Sequence, residues 1–357
     1  MLFDPPRQPL RYDPSLETPE KDEAETGRDL VETLRDIVET TYKDGGHRLR
    51  AVHAKSHGLI EAELVIAEGL PEVLAQGLFA KPGRHPALLR ISTTPGDLLD
   101  DAVSTPRGLA VKILDVEGER VEGSPDPVQD FVLVNGKAFL TPTAKPFAQN
   151  LKLLAATTDK AEGLKKLLSA ALRGAEAGIE ALGGTSATLA SLGGHPATNP
   201  LGETFWSQAP LLYGPYIAKI SVAPVSPELV ALTGQPVDLR HADALREAVI
   251  AHFAQHGGEW EVRVQLALDP HDTPIEDSSV VWPEDKTPFV PVARLIAPRQ
   301  EGWSEALSAK VDDGLSFSPW HALAAHRPLG SIMRVRKAAY AMSGEFRGAK
   351  ACPMGHG

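Results

Sequence analysis

The sequence predicts an α+β chain whose strands form an antiparallel barrel or sandwich, with helices before, within and after them. Three observations point there. Short apolar runs with a period of two recur between about residues 50 and 296, separated by turn residues. Helices do not alternate with them regularly, as a parallel sheet would require. Segments with a 3.6-residue period flank and interrupt the strand runs.

Residues 1–20 are rich in proline and charge and read as an arm lying over a surface, including that of a partner subunit. Residues 22–42 read as an amphipathic helix: Leu30, Val31, Leu34, Ile37, Val38 and Tyr42 share one face, and Asp44, Gly45 and Gly46 stop it. Ile60, Ala62, Leu64 and Ile66 then alternate as a strand. Residues 88–92, 109–116, 131–134, 217–223 and 290–296 read likewise. Trp260, Val262, Val264, Leu266 and Leu268 give the cleanest alternation. Residues 145–183 read as helix, with Leu164, Leu167, Leu168 and Leu172 on one face, followed by a Gly/Ser/Thr-rich loop at 183–200. Further helices are expected at 239–256, ending at Gly257 and Gly258, and at 332–342. The division expected is an arm and helix at 1–44, one barrel domain at 45–348 and a flexible tail at 349–357.

The chain has 357 residues, 42% hydrophobic and 23% charged, with a net charge of −11. That charge disfavours nucleic acid and anionic membranes, which both select clustered cations. The single cysteine, Cys352, forms no intrachain disulfide, so nothing implies an oxidising compartment. The first ten residues lack a signal-peptide pattern, and no run approaches the ~20 apolar residues of a membrane span. A soluble cytoplasmic protein is expected.

Common chemical motifs are missing: no phosphate-binding Gly-rich loop, no Cys-x-x-Cys, no His-Glu-x-x-His. Asp269, His271 and Asp272 lie in a polar turn and read as a solvated loop. His252 and His256 are four apart on one helix face but lack a third ligand, and His321 with His326 reads the same way. Two other stretches stand out. Residues 50–58 put His53 among small residues and cations before a strand. Further on, Arg336 and Tyr340 stand four apart on the last helix. Taken alone, each fits an ordinary structural histidine or packing pair.

Together they resemble the haem catalases. Arg50-Ala51-Val52-His53-Ala54-Lys55-Ser56-His57-Gly58 is similar to that family's distal-histidine pattern, Arg-x-x-His-Ala-Lys-x-x-Gly. Arg336-Lys337-Ala338-Ala339-Tyr340 resembles the segment that supplies its axial tyrosine. Between them, in order, lie Leu89-Arg90-Ile91-Ser92-Thr93, Pro106-Arg107-Gly108-Leu109-Ala110-Val111-Lys112, Asp130 to Asn135, Val281-Trp282-Pro283 with Pro291-Val292, and Leu315-Ser316-Phe317-Ser318-Pro319. The likeness covers roughly residues 45–348. Trp206-Ser207-Gln208-Ala209-Pro210 with Tyr213-Gly214 resembles the small catalase-related peroxidases in particular. No long helical tail, flavodoxin-like appendage or NADPH site is expected.

The resemblance implies an antiparallel barrel with haem b beside it and a C-terminal haem-ligating helix. Tyr340 would bind the iron, helped by Arg336. His53 would act as acid–base group in forming a ferryl intermediate, held by Ser92, while Asn135 hydrogen-bonds the peroxide. Arg50, Arg90 and Arg347 would hold the haem propionates, and Phe139 and Phe147 would wall the distal pocket or pack as core. His57 replaces a small residue of the family and would shape the channel or bond to backbone. Lys55 would make a structural hydrogen bond, and Cys352-Pro353 would lie in the tail. The implied substrate is hydrogen peroxide or an organic hydroperoxide, and the implied assembly a homo-oligomer, dimer or tetramer. Catalase turnover comes first. The alternatives are peroxidase turnover with an organic donor, rearrangement of fatty-acid hydroperoxides and non-catalytic haem carriage. Allene oxide synthases tend to carry threonine where this chain has Val52, which favours peroxide decomposition.

Overall fold

The computed structural model describes residues 8–155 and 196–353, apart from Ser104 and Asp126. Among these residues nine antiparallel strands form one sheet: β1 (Ser56–Ile66), β2 (Gly83–Thr93), β3 (Arg107–Ile113), β4 (Gln129–Val134), β5 (Phe205–Trp206), β6 (Leu211–Tyr213), β7 (Tyr216–Pro224), β8 (Gly258–Leu266) and β9 (Val290–Ala297). Their order is β5-β4-β3-β2-β1-β9-β8-β7-β6, and β5 also pairs with β7. That last pairing closes eight strands into a barrel and leaves β6 outside the ring. Closure removes the unpaired edges an open sheet would present.

Alternation decides what each strand contributes. Leu89 and Ile91 of β2, Leu109, Val111 and Ile113 of β3, and Trp260, Val262, Val264 and Leu266 of β8 fill the interior. Each fully buried side chain of this kind contributes about 1.5–3 kcal/mol. The intervening residues of β2 and β3 therefore face outward: Arg90 and Ser92, then Gly108, Ala110 and Lys112. This outer face is where the polar groups of the site gather.

Helices cover it. Helix α1 (Glu23–Gly45), α2 (Ala144–Ala155) and the last helix, α4 (Ser331–Arg347), share one apolar cluster. Leu30, Leu34, Ile37 and Val38 of α1 meet Val335, Ala339 and Met342 of α4 there, and Ala51 joins them. Helix α3 (Ala244–Phe253) packs Val249 close to Gly58 at the start of β1. Arg334 of α4 ties three segments together, bonding Glu17 of the arm at 2.8 Å, Glu23 of α1 at 2.7 Å and Glu276 at 2.9 Å. Residues 10–12 of the arm run along their own barrel: the Leu10 amide donates to the Ala267 carbonyl and the Tyr12 amide to that of Pro215.

Several expected boundaries shift. The helix expected at 239–256 is confined to Ala244–Phe253. The strand through Leu268 stops at Leu266, because Thr273 Oγ1 accepts the Leu268 and Asp269 amides and turns the chain. The last helix runs five residues past 342 and so carries Arg347. Of the helix expected at 145–183 only Ala144–Ala155 is described; Leu164, Leu167, Leu168, Leu172 and most of the 183–200 loop lie outside the described residues. In the expected tail, Lys350 is tied to Gly314 and Ser316 by backbone bonds. No helix among the described residues is long and apolar enough to cross a membrane.

Candidate active site

His53 sits in the short loop before β1 with φ of 56°, a left-handed backbone that non-glycine residues seldom adopt. Such strain persists only where surroundings enforce it. The His53 amide donates to the Thr94 carbonyl at 2.7 Å. Arg90 Nη2 donates to the His53 carbonyl at 2.8 Å and to that of Ala54 at 3.1 Å. The ring is fixed as firmly. Its Nδ1 pairs with Ser92 Oγ at 3.1 Å, and Ser92 faces Gly108 across the β2–β3 ladder. A Cβ at Gly108 would lie 2.6 Å from His53 Cε1, so only glycine leaves room for the ring. Burial, then the charges of Arg90, Arg336 and Arg50, push the imidazole pKa down to about 3. His53 is therefore neutral near pH 7 and able to accept a proton. With Nδ1 committed to Ser92, exchange falls to Nε2.

Tyr340 and Arg336 stand one turn apart on α4, and Arg336 Nη2 donates to the phenol oxygen at 2.6 Å. The guanidinium also lies 5.7 Å from the Phe139 ring centre and 6.0 Å from that of Phe147, which meet edge to face. Phe139 and Phe147 thus pack beside the tyrosine's arginine. Val52, the neighbour of His53, and Ala339, the neighbour of Tyr340, belong to one apolar cluster, which brings the two segments together.

The three expected propionate arginines converge although they are distant in sequence. All three contact Asp312, which lies in a π-helical turn, Ala309–Asp313. Turns of this kind recur at functional sites because they open the helical hydrogen-bond ladder. Arg50 Nη1 donates to the Asp312 carbonyl at 2.6 Å, and Arg347 Nη1 donates to the same oxygen at 2.6 Å. Arg90 Nε donates to the Asp312 carboxylate at 2.6 Å. Burial acts to raise that carboxyl, but Arg90, Arg50 and the Ser56 hydroxyl outweigh it and hold the pKa at about 2. Burial with the neighbouring arginine charges pushes Arg50 well below its ordinary range and Arg347 down to about 10. Arg347 Nε is buried with no hydrogen-bond partner among the described residues.

Asn135 is oriented by its surroundings. Its Oδ1 accepts the Arg107 amide at 2.8 Å, and its Nδ2 donates to Glu203 at 2.8 Å. Glu203 in turn pairs with the buried Arg107. Lys55 makes the structural bonds expected of it, to the Leu99 and Ala242 carbonyls and Asp101. His57 is fully buried, bonds Thr93 Oγ1 at 3.2 Å, and is held neutral by burial and by Lys55. The bond goes to a side chain rather than to backbone. His252 bonds the Gly257 carbonyl, His321 bonds Asp130 and His326 accepts the Leu78 amide, so none of these histidines joins the site. Asp269, His271 and Asp272 cluster in a loop where His271 is exposed and Lys286 pairs with Asp272. Asp312, Gly108 and Glu203 were missing from the sequence-based set. Gly108 had a signal, since it stands inside the Pro106-Arg107-Gly108 motif.

No protein-family model and no curated protein sequence matches this chain. Solved structures do match, among them three at 16% identity over 87% of this chain. They include a fungal catalase with a TM-score of 0.59, catalase A from Saccharomyces cerevisiae with 0.60 and a bacterial catalase with 0.59. The alignments cover 61%, 63% and 60% of those chains, so this chain spans about three fifths of the length of the catalases it matches. With its closed eight-strand barrel and flanking helices, the chain has the catalase-type fold.

Proposed function

We propose that the chain binds haem b and uses it to decompose hydrogen peroxide. The observation that carries this reading is the set of three arginines on Asp312, together with a phenol that accepts from its own arginine. Cations held out of water are costly unless anions join them. Arg347 Nε lies buried without a partner among the described residues, which fits a carboxylate-bearing ligand. Haem b brings two carboxylates and needs an axial donor, and the residues present suit both needs.

Bound haem iron would supply the redox chemistry that splits the peroxide O–O bond. Tyr340 Oη is the atom suited to the iron, and Arg336 would orient it by donating to it. Arg50, Arg90 and Arg347 would hold the propionates. His53 Nε2 takes a proton from one peroxide oxygen and returns it to the other as that oxygen leaves. Ser92 and Gly108 hold the ring for both transfers. Asn135 has two amide N–H groups; Glu203 takes one, and the other serves the peroxide.

The test is to load the purified chain with haem b, record the absorption spectrum, and compare oxygen release from hydrogen peroxide with oxidation of an organic dye. Haem binding with oxygen release is expected. Haem with dye oxidation alone would shift the reading to a peroxidase. A chain that takes up no haem would overturn it.

A further inference from the structure

We infer that Asp312 sets the charge capacity of the arginine cradle, making it specific for a ligand that carries two carboxylates. This rests on the haem reading above and adds to it the ligand charge that the site requires.

Both Asp312 carboxylate oxygens are spoken for. Oδ1 accepts from Arg90 Nε at 2.6 Å and Arg50 Nη1 at 3.3 Å, and Oδ2 accepts from Ser56 at 2.6 Å and Ser308 at 2.7 Å. Ser56 is held in place by Trp303, whose indole N–H donates to it at 2.8 Å. The carboxylate is therefore a permanent counter-ion and not a placeholder that a ligand displaces. One carboxylate against three guanidiniums leaves a surplus of two positive charges. Asp313, the next residue, is half-exposed and pairs with His47 at 2.9 Å, and its charge acts on Arg50 and Arg347 less than that of Asp312 does. Among the described residues Arg347 Nη1 donates to the carbonyls of Asp312 and Leu315. Two ligand carboxylates balance this surplus; a monoanion or a neutral macrocycle does not.

The thermal midpoints of apo and haem-loaded protein test this for the native chain and Asp312→Asn, using haem b and haem b dimethyl ester. Removing the fixed anion leaves the three guanidiniums with no carboxylate in contact, which the propionates then relieve. Asp312→Asn should lower the apo midpoint more than the loaded one, so the gain on loading haem b exceeds that of the native chain. The ester should give no such extra gain. Equal losses in apo and loaded forms, or an ester as effective as the free acid, would overturn the inference. If apo Asp312→Asn does not fold, refolding with haem b should rescue it and the ester should not; the reverse overturns the inference. Arg347→Gln offers an independent check, because lowering the surplus should shrink the apo cost of Asp312→Asn in the double variant, and an unchanged cost counts against it. A native chain that binds no haem defeats the underlying haem reading instead, which keeps the two failures distinct.

Discussion

At the scale of single residues, His53 shows how backbone, packing and charge converge on one imidazole. Its left-handed φ is enforced by bonds to Thr94 and Arg90, and its ring lies where Gly108 has no side chain. Gly108→Ala should tilt the ring, at an overpacking cost of about 1–3 kcal/mol. The measurements are turnover and haem content, with turnover expected to fall and haem to stay. The depressed pKa also has a stability consequence. An unfolded histidine near 6.5 takes up protons that the folded one, at about 3, refuses. The His53 contribution is therefore complete above about pH 6.5 and is lost as pH falls toward 3. Urea unfolding between pH 6 and 4 should show the native chain losing stability relative to His53→Gln, by up to about tenfold in the folding equilibrium per pH unit. Parallel curves would show that His53 is protonated in the folded state.

Among elements, the last helix carries three of the residues proposed to hold haem. Arg336, Tyr340 and Arg347 lie on α4, whose start is set by Gly330 at φ of 86°. A Cβ there would come within 2.6 Å of the Ile275 carbonyl. Gly330→Ala should displace the first turn and cost about 1–3 kcal/mol of stability. The expected readouts are a lower thermal midpoint and weaker haem retention, and an unchanged protein would count against the role given to that turn. The Arg336–Tyr340 pair was legible because i and i+4 share a helix face. The end of the helix was not, because Ser343 and Gly344 break the apolar period. Packing carries the helix on, with Gly344 close to Ser316 and Arg347 bonded to the Asp312 carbonyl. Asp312 itself has no local signal: it stands beside a second aspartate, and only the π-helical turn gives it the cradle.

For the whole molecule, strand periodicity predicted the antiparallel sheet but left barrel and sandwich open. Closure depends on two residues, Phe205 and Trp206, pairing with β7 on one side and β4 on the other. No local pattern marks so short a strand, and loop closure over such distances leaves little trace in sequence. The ordered motifs resolved the ambiguity because most of them lie on a barrel strand or beside the site, Val281-Trp282-Pro283 being in the loop between β8 and β9. Outward-facing Arg90 and Ser92, and Gly108 opposite Ser92, are set by the β2–β3 register, so barrel and site form one construction. The most direct measurement is oxygen release from hydrogen peroxide by the haem-loaded chain and by haem-loaded His53→Ala. The native chain should release oxygen, and the variant should keep its haem while losing at least about a hundredfold of that rate. Equal oxygen release from both, with haem bound in each, would contradict the role of His53 at the centre of this site.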